Sequence, residues 1–125
     1  MKKEQIINEL ITSADGNGLI HTLHGFFGSS VKVSIPLGQR TLDSSIDEVD
    51  FSVRSSNCLK RTGMLRIRDV VESLEEGRLQ QIRNLGKISY NEIQTKLLVL
   101  AYNNLSNAEK KKFFFDLLER NEYVR

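Results

Sequence analysis

The 125-residue sequence predicts an all-α protein. Three observations predict it. From residue 44 onward apolar residues recur three and four positions apart, the spacing of a helix with one buried face. Serines stand ahead of these stretches where a helix needs acceptors for its first N–H groups, and Ser106 with Glu109 makes a capping box. Glycines punctuate the ends, with Gly63 after one stretch and Gly86 in a turn between two others. Together they predict a compact domain of four to five helices, built from tandem helix-hairpin-helix units, with helical additions at both ends.

The elements follow in order. Ile6, Ile7, Leu10 and Ile11 form an apolar stripe that predicts a helix over residues 3–13, stopped by Asp15-Gly16-Asn17-Gly18. Residues 19–27 predict a second short helix. Val31 to Ile35 alternates like a strand before Pro36, yet no partner strand is in view. Residues 29–45 therefore read as an irregular connector, with a small hairpin as the alternative. Ser55 or Ser56 can cap a helix running to about Thr62. Residues 68–73 and 75–82 predict two more, and after the Leu85-Gly86 turn Ser89 opens a long helix to about Tyr102. Its Ile93, Leu97, Leu98, Leu100 and Ala101 should pack on Leu59, Val70, Val71, Leu74, Leu79, Ile82 and Leu85.

The Ser106 capping box opens a last helix reaching about Asn121. It carries Phe113, Phe114, Phe115, Leu117 and Leu118. Three successive phenylalanines spread over about 200° of helix, so one must face away from the central domain. That apolar surface and the Ile6 stripe each lack a partner, and packing them together would bury both, within one chain or across a homodimer.

Composition narrows the function. The chain is 39% hydrophobic, enough for a modest core, and no apolar run approaches the roughly 20 residues of a membrane span. The Met1-Lys2-Lys3-Glu4 start leads into an amphipathic helix and not a signal-peptide core, so a cytoplasmic protein without membrane contact is expected. Cys58 is the only cysteine, which rules out an intrachain disulfide. His21 and His24 could share one side of a helical turn, but two ligands without a cysteine pair make a poor zinc site, and no metal or other cofactor is expected. Neither a nucleophile with its base nor a phosphate-binding Walker loop is recognisable, so no enzyme is expected. Residues 1–50 hold four Lys/Arg against seven Asp/Glu, whereas residues 51–100 hold nine against five. The excess of cations within 51–100 would attract phosphate in a salt-dependent way.

Within that basic stretch two motifs stand out. Val53-Arg54-Ser55-Ser56-Asn57-Cys58-Leu59-Lys60 opens one helix with hydrogen-bonding and cationic side chains. Asn84-Leu85-Gly86-Lys87-Ile88-Ser89 is a glycine turn onto another, whose free N–H groups can face an anion. The lone glycine turn is a weak signal, because such turns commonly just connect helices. The pair is stronger. With residues 46–63 and Glu92-Ile93, it closely resembles the C-terminal domain of the bacterial RNA polymerase alpha subunit over roughly residues 44–105.

The resemblance implies a helix-hairpin-helix domain over residues 44–105. A helical extension and connector would precede it at residues 1–43, and an added helix would follow at 106–125. It implies an Arg in the DNA minor groove, a role that falls to Arg54, with Asn57 and Cys58 beside it. Gly86 and Ser89 would hold phosphates, and Lys87 and Glu92 belong to the same DNA-binding set. The family usually carries Lys where this protein has Ile88, which removes one phosphate contact. Residues 1–45 do not resemble the alpha subunit's assembly domain. The expected function is therefore transcriptional, by docking on A·T-rich double-stranded DNA, as a free-standing regulator or a divergent alpha-like polypeptide. The alternative is a protein-interaction module that contacts transcription regulators or sigma factor.

Overall fold

Seven α-helices organise the computed structural model, which describes residues 3–13, 19–28 and 32–121. They are α1 Lys3–Ser13, α2 Leu19–Phe27, α3 Gln39–Leu42, α4 Val53–Arg61, α5 Ile67–Glu75, α6 Lys87–Asn103 and α7 Asn107–Arg120. Single 3-10 turns occupy Ile46–Glu48 and Leu79–Gln81. Among the described residues the only β-pairing is an isolated antiparallel bridge between Ser45 and Arg66. The all-α expectation is met.

Residues 32–38 adopt no regular structure, so the strand-like alternation does not make a strand. Its apolar residues are nevertheless buried, as Val33 and Ile35 show. With no neighbouring strand, side chains satisfy the backbone. The Asn121 carboxamide accepts the Lys32 N–H at 2.8 Å and donates to the Lys32 carbonyl at 2.9 Å. Glu75 accepts the Ile35 N–H at 2.7 Å.

The protein forms two compact units, Ile35–Leu97 and Met1–Ser34 with Leu98–Arg125. In the first, α4 and α5 end alike. Gly63 and Gly77 take left-handed φ of 83° and 75° just past the helix. The next N–H groups then turn back, Met64 to the Leu59 carbonyl and Arg78 to that of Ser73. These bonds satisfy carbonyls that a helix C-terminus leaves open, in a conformation glycine adopts without steric cost. The left-handed Gly77 is also why no full helix fills residues 75–82: α5 stops at Glu75, and only the turn Leu79–Gln81 follows. The expected aliphatic core is present, with Leu59, Val70, Leu79, Ile93 and Leu97 fully buried. Ile82 and Leu85 are half-buried.

In the second unit α1 packs against α7 and α2 within the same molecule, as the unpartnered stripes required. Ile6, Ile7 and Leu10 are buried, as are Phe113, Phe114, Leu117 and Leu118. Phe115 is half-buried. Tyr102 stands 5.7 Å from Phe113 and 5.6 Å from Phe114 between ring centroids, and the two phenylalanine rings meet edge to face at 5.3 Å. Such tilted pairs align ring edges with ring faces and add to the burial. The Lys110 ammonium lies 4.9 Å above the Tyr102 ring. Burial raises the pKa of the Tyr102 hydroxyl. The Ser106 box closes as expected, with Glu109 accepting the Ser106 N–H at 2.9 Å and Ser106 accepting that of Glu109 at 3.2 Å.

Candidate nucleic-acid interface

The site begins with the cap of α4. Of three closely spaced serines, Ser52 is the cap, and its hydroxyl accepts the Ser55 N–H at 3.2 Å. The helix therefore starts earlier than a Ser55 or Ser56 cap would place it. Arg54 lies in the first turn, exposed, where its position suits contact with something outside the protein.

Glu92, on α6, makes the choice among the serines. Its carboxylate accepts the Ser52 N–H at 2.8 Å, the Ser52 hydroxyl at 2.9 Å and the buried Ser55 hydroxyl. Lys96, one turn on, stands 3.5 Å from it and also donates to the Asp50 carbonyl. Desolvation of the carboxyl raises its pKa. The hydrogen bonds from Ser55 and Ser52 and the Lys96 charge outweigh that and hold it below the ordinary glutamate value. Glu92 thus joins the site residues through α4: it fixes the helix end that carries Arg54, and its charge is surrounded by donors.

Opposite α4 lies the hairpin. Arg54, Cys58 and Arg61 from α4 and Asn84, Leu85 and Gly86 from the turn line one cleft of about 540 Å³. The left-handed residue of this turn is Asn84, at φ 70°. Asparagine is among the few non-glycine residues that tolerate this conformation. Gly86 does a different job. Its carbonyl accepts the Tyr90 N–H at 3.0 Å, which makes it the cap of α6, and no atom beyond its sequence neighbours lies within 4 Å of where a Cβ would sit. The N–H groups of Lys87, Ile88 and Ser89 fall in the first helical turn, where no intrahelical acceptor exists.

The other expected residues divide by exposure. Asn57 and Lys87 are exposed, whereas Cys58 and Ser89 are mostly buried at 8% and 7%. Cys58 lines the cleft wall. Ile88 is 87% exposed and Val53, beside Arg54, 76%. Lys60 pairs with Asp47, Arg68 with Asp43 and Arg78 with Glu76, while no ion pair among the described residues involves Arg54, Arg61 or Lys87. The cleft therefore places two unpaired guanidinium groups opposite a helix start, an arrangement suited to an anionic surface. Among the described residues no group of three or more His, Cys, Asp or Glu could hold a metal ion. No helix there is long and apolar enough to cross a membrane.

The family model for the C-terminal domain of the bacterial RNA polymerase alpha subunit matches residues 34–98, more than half of the sequence. The chain belongs to this family. Its relatives include the DNA-directed RNA polymerase subunit alpha of Moorella thermoacetica, 43% identical over 70 residues, which are 56% of this chain and 22% of that protein. The protein of the same name from Mesoplasma florum is 42% identical over 62 residues, 50% of this chain and 19% of that protein. The sequence thus spans about a fifth of the length of these curated relatives. No solved structure matches it. The alpha C-terminal domain match coincides closely with the unit Ile35–Leu97, which holds the cleft, both motifs and Glu92.

Proposed function

We propose that this alpha C-terminal-domain-like unit binds A·T-rich double-stranded DNA from the minor-groove side in transcription, as a non-catalytic module of the cytoplasm. Arg54 enters the groove, where narrow A·T tracts concentrate negative potential. Asn57 and Cys58 flank it. The amides that follow Gly86, together with Lys87 and Ser89, grip the adjacent backbone and set the register. Glu92 acts by holding the start of α4 in place.

One observation carries this reading: Arg54 and the Gly86 turn, 32 positions apart in sequence, line the same cleft. The open space around Gly86 supports it, because the fold itself makes no use of the missing Cβ. A second reading is favoured by Ile88. An aliphatic side chain, 87% exposed where the family usually has Lys, fits a module that contacts transcription regulators or sigma factor and binds DNA weakly.

Fluorescence anisotropy with A-tract and G·C-rich duplexes at two salt concentrations separates the readings. Arg54→Ala should weaken A-tract binding by roughly 1–3 kcal/mol and erase the preference over G·C. Equal affinities of wild type and variant would exclude the DNA reading.

A further inference from the structure

Three large apolar side chains are strongly exposed among the described residues, and two of them neighbour cleft-lining residues in sequence: Val53 at 76% and Ile88 at 87%, with Leu65 at 57% the third. Val53 precedes Arg54 in the first turn of α4, and Ile88 follows Gly86 by two positions in the first turn of α6. Ile88 lies one turn before Glu92, on the face of α6 that reaches the start of α4 through Ser52 and Ser55. The core gains little from either side chain. Single exposed aliphatics are ordinary, but two of them at neighbouring helix starts, next to an unpaired arginine, make a local patch.

A phosphate backbone offers such a patch no apolar partner. A protein segment does, since protein interfaces commonly combine aliphatic or aromatic anchors with arginine and a polar rim. The charge of the face defines the partner further. Among the described residues Arg54, Arg61 and Lys87 are free of ion pairs, and residues 51–100 carry nine Lys/Arg against five Asp/Glu. We propose that this face also takes, in competition with DNA, an acidic protein segment bearing aliphatic side chains. Its carboxylates meet Arg54, Arg61 and Lys87, and an aliphatic residue packs on Ile88 and Val53. The inference rests on the anion-binding reading of the cleft and assigns that site a regulator.

The test uses two synthetic amphipathic peptides of equal length and negative charge, one of glutamate and leucine and the other of glutamate and serine. Binding is followed by amide NMR of the full-length protein and by displacement of a labelled A-tract duplex. The leucine peptide should bind about tenfold more tightly than the serine peptide, as expected for burial of one aliphatic side chain. It should shift the amides of residues 53–54 and 86–89 and release the duplex. Ile88→Ser should remove that advantage while the fold persists, since a solvent-exposed substitution leaves it intact. Equal binding of the two peptides, or an advantage that survives Ile88→Ser, overturns the proposal. Peptide binding that maps to these amides without any duplex binding would sink the DNA reading and, with it, the competition proposed here. Duplex binding with indistinguishable peptides would overturn the proposal and leave the DNA reading standing.

Discussion

The two units use their helices differently. In Ile35–Leu97 the helices α4 and α5 are short, their ends are tied by glycine turns and by the Glu92 carboxylate, and the core is aliphatic. Two of its helix starts carry exposed aliphatics and cations. The unit of Met1–Ser34 and Leu98–Arg125 is built around Tyr102, Phe113 and Phe114, and none of its described residues is a large exposed apolar side chain. Its helices bury their stripes against one another. The first unit keeps polar ends and loose aliphatics available, and the second satisfies its own surfaces. That contrast fits the proposed recognition by the first unit and a mainly packing role for the second.

The largest expected effect tests the packing unit. Phe114 is fully buried between two aromatic rings, so Phe114→Ala should cost about 3–5 kcal/mol in urea unfolding. Hydrogen exchange should show protection lost chiefly in α1 and α7. Equal loss in α4 and α5 would mean that the two units unfold as one, and the contrast between them would not extend to stability.

A smaller effect is expected at the tie within the recognition unit. Glu92→Ala leaves the buried Ser55 hydroxyl and the Ser52 N–H without their acceptor, at a cost of roughly 1–3 kcal/mol. Duplex affinity should fall even though Arg54 is retained. The same contact makes a pH prediction. Because the folded-state pKa is lowered, its stabilisation is present above the ordinary glutamate value of the unfolded chain and is lost as pH falls through the lower folded one. Wild type should therefore lose stability in acid more steeply than Glu92→Ala, and parallel acid-unfolding curves would show that the carboxylate's charge contributes nothing.

Gly86→Ala should separate function from folding most finely. No neighbour obstructs the new methyl group, so stability should change by less than about 1 kcal/mol, the range of a changed helix cap. Duplex affinity should drop about tenfold as the backbone is held off the phosphate. Unchanged affinity would show that nothing approaches this turn closely.

Much of this was legible locally. The stripe Ile6, Ile7, Leu10 and the Ser106 box each carry their signal within a few residues, and α1, α2 and α7 lie where the pattern puts them. The cap of α4 was not legible, because Ser52, Ser55 and Ser56 are all competent. The acceptor that selects Ser52 is Glu92, 40 positions away. Local sequence does not reveal such a bond. The turn at Asn84 escaped for a different reason: glycine two positions later is the stronger turn signal, although asparagine next to Leu85 is itself a left-handed one. In the strand-like segment around Val33 the alternation reported burial correctly, but pairing needs a second strand and the described residues hold none. In the candidate site, pattern located Arg54 and Gly86, while only the three-dimensional structure showed that Cys58 and Ser89 are largely enclosed.

The bond from Glu92 to the start of α4 also sets when the surface can exist. Ser52 caps the Ser55 N–H locally, but its own N–H and the Glu92 carboxylate are separated by 40 residues, so that second tie on the helix carrying Arg54 exists only once α6 has docked. Closing so long a loop costs chain entropy that a local helical turn does not. Until then Arg54 is one flexible cation among many, able to attract polyanions without discriminating among them. On the proposed DNA reading, a polypeptide emerging during synthesis would therefore acquire charge attraction first and shape selectivity second, and partial unfolding near α6 would abolish selectivity while leaving the attraction in place.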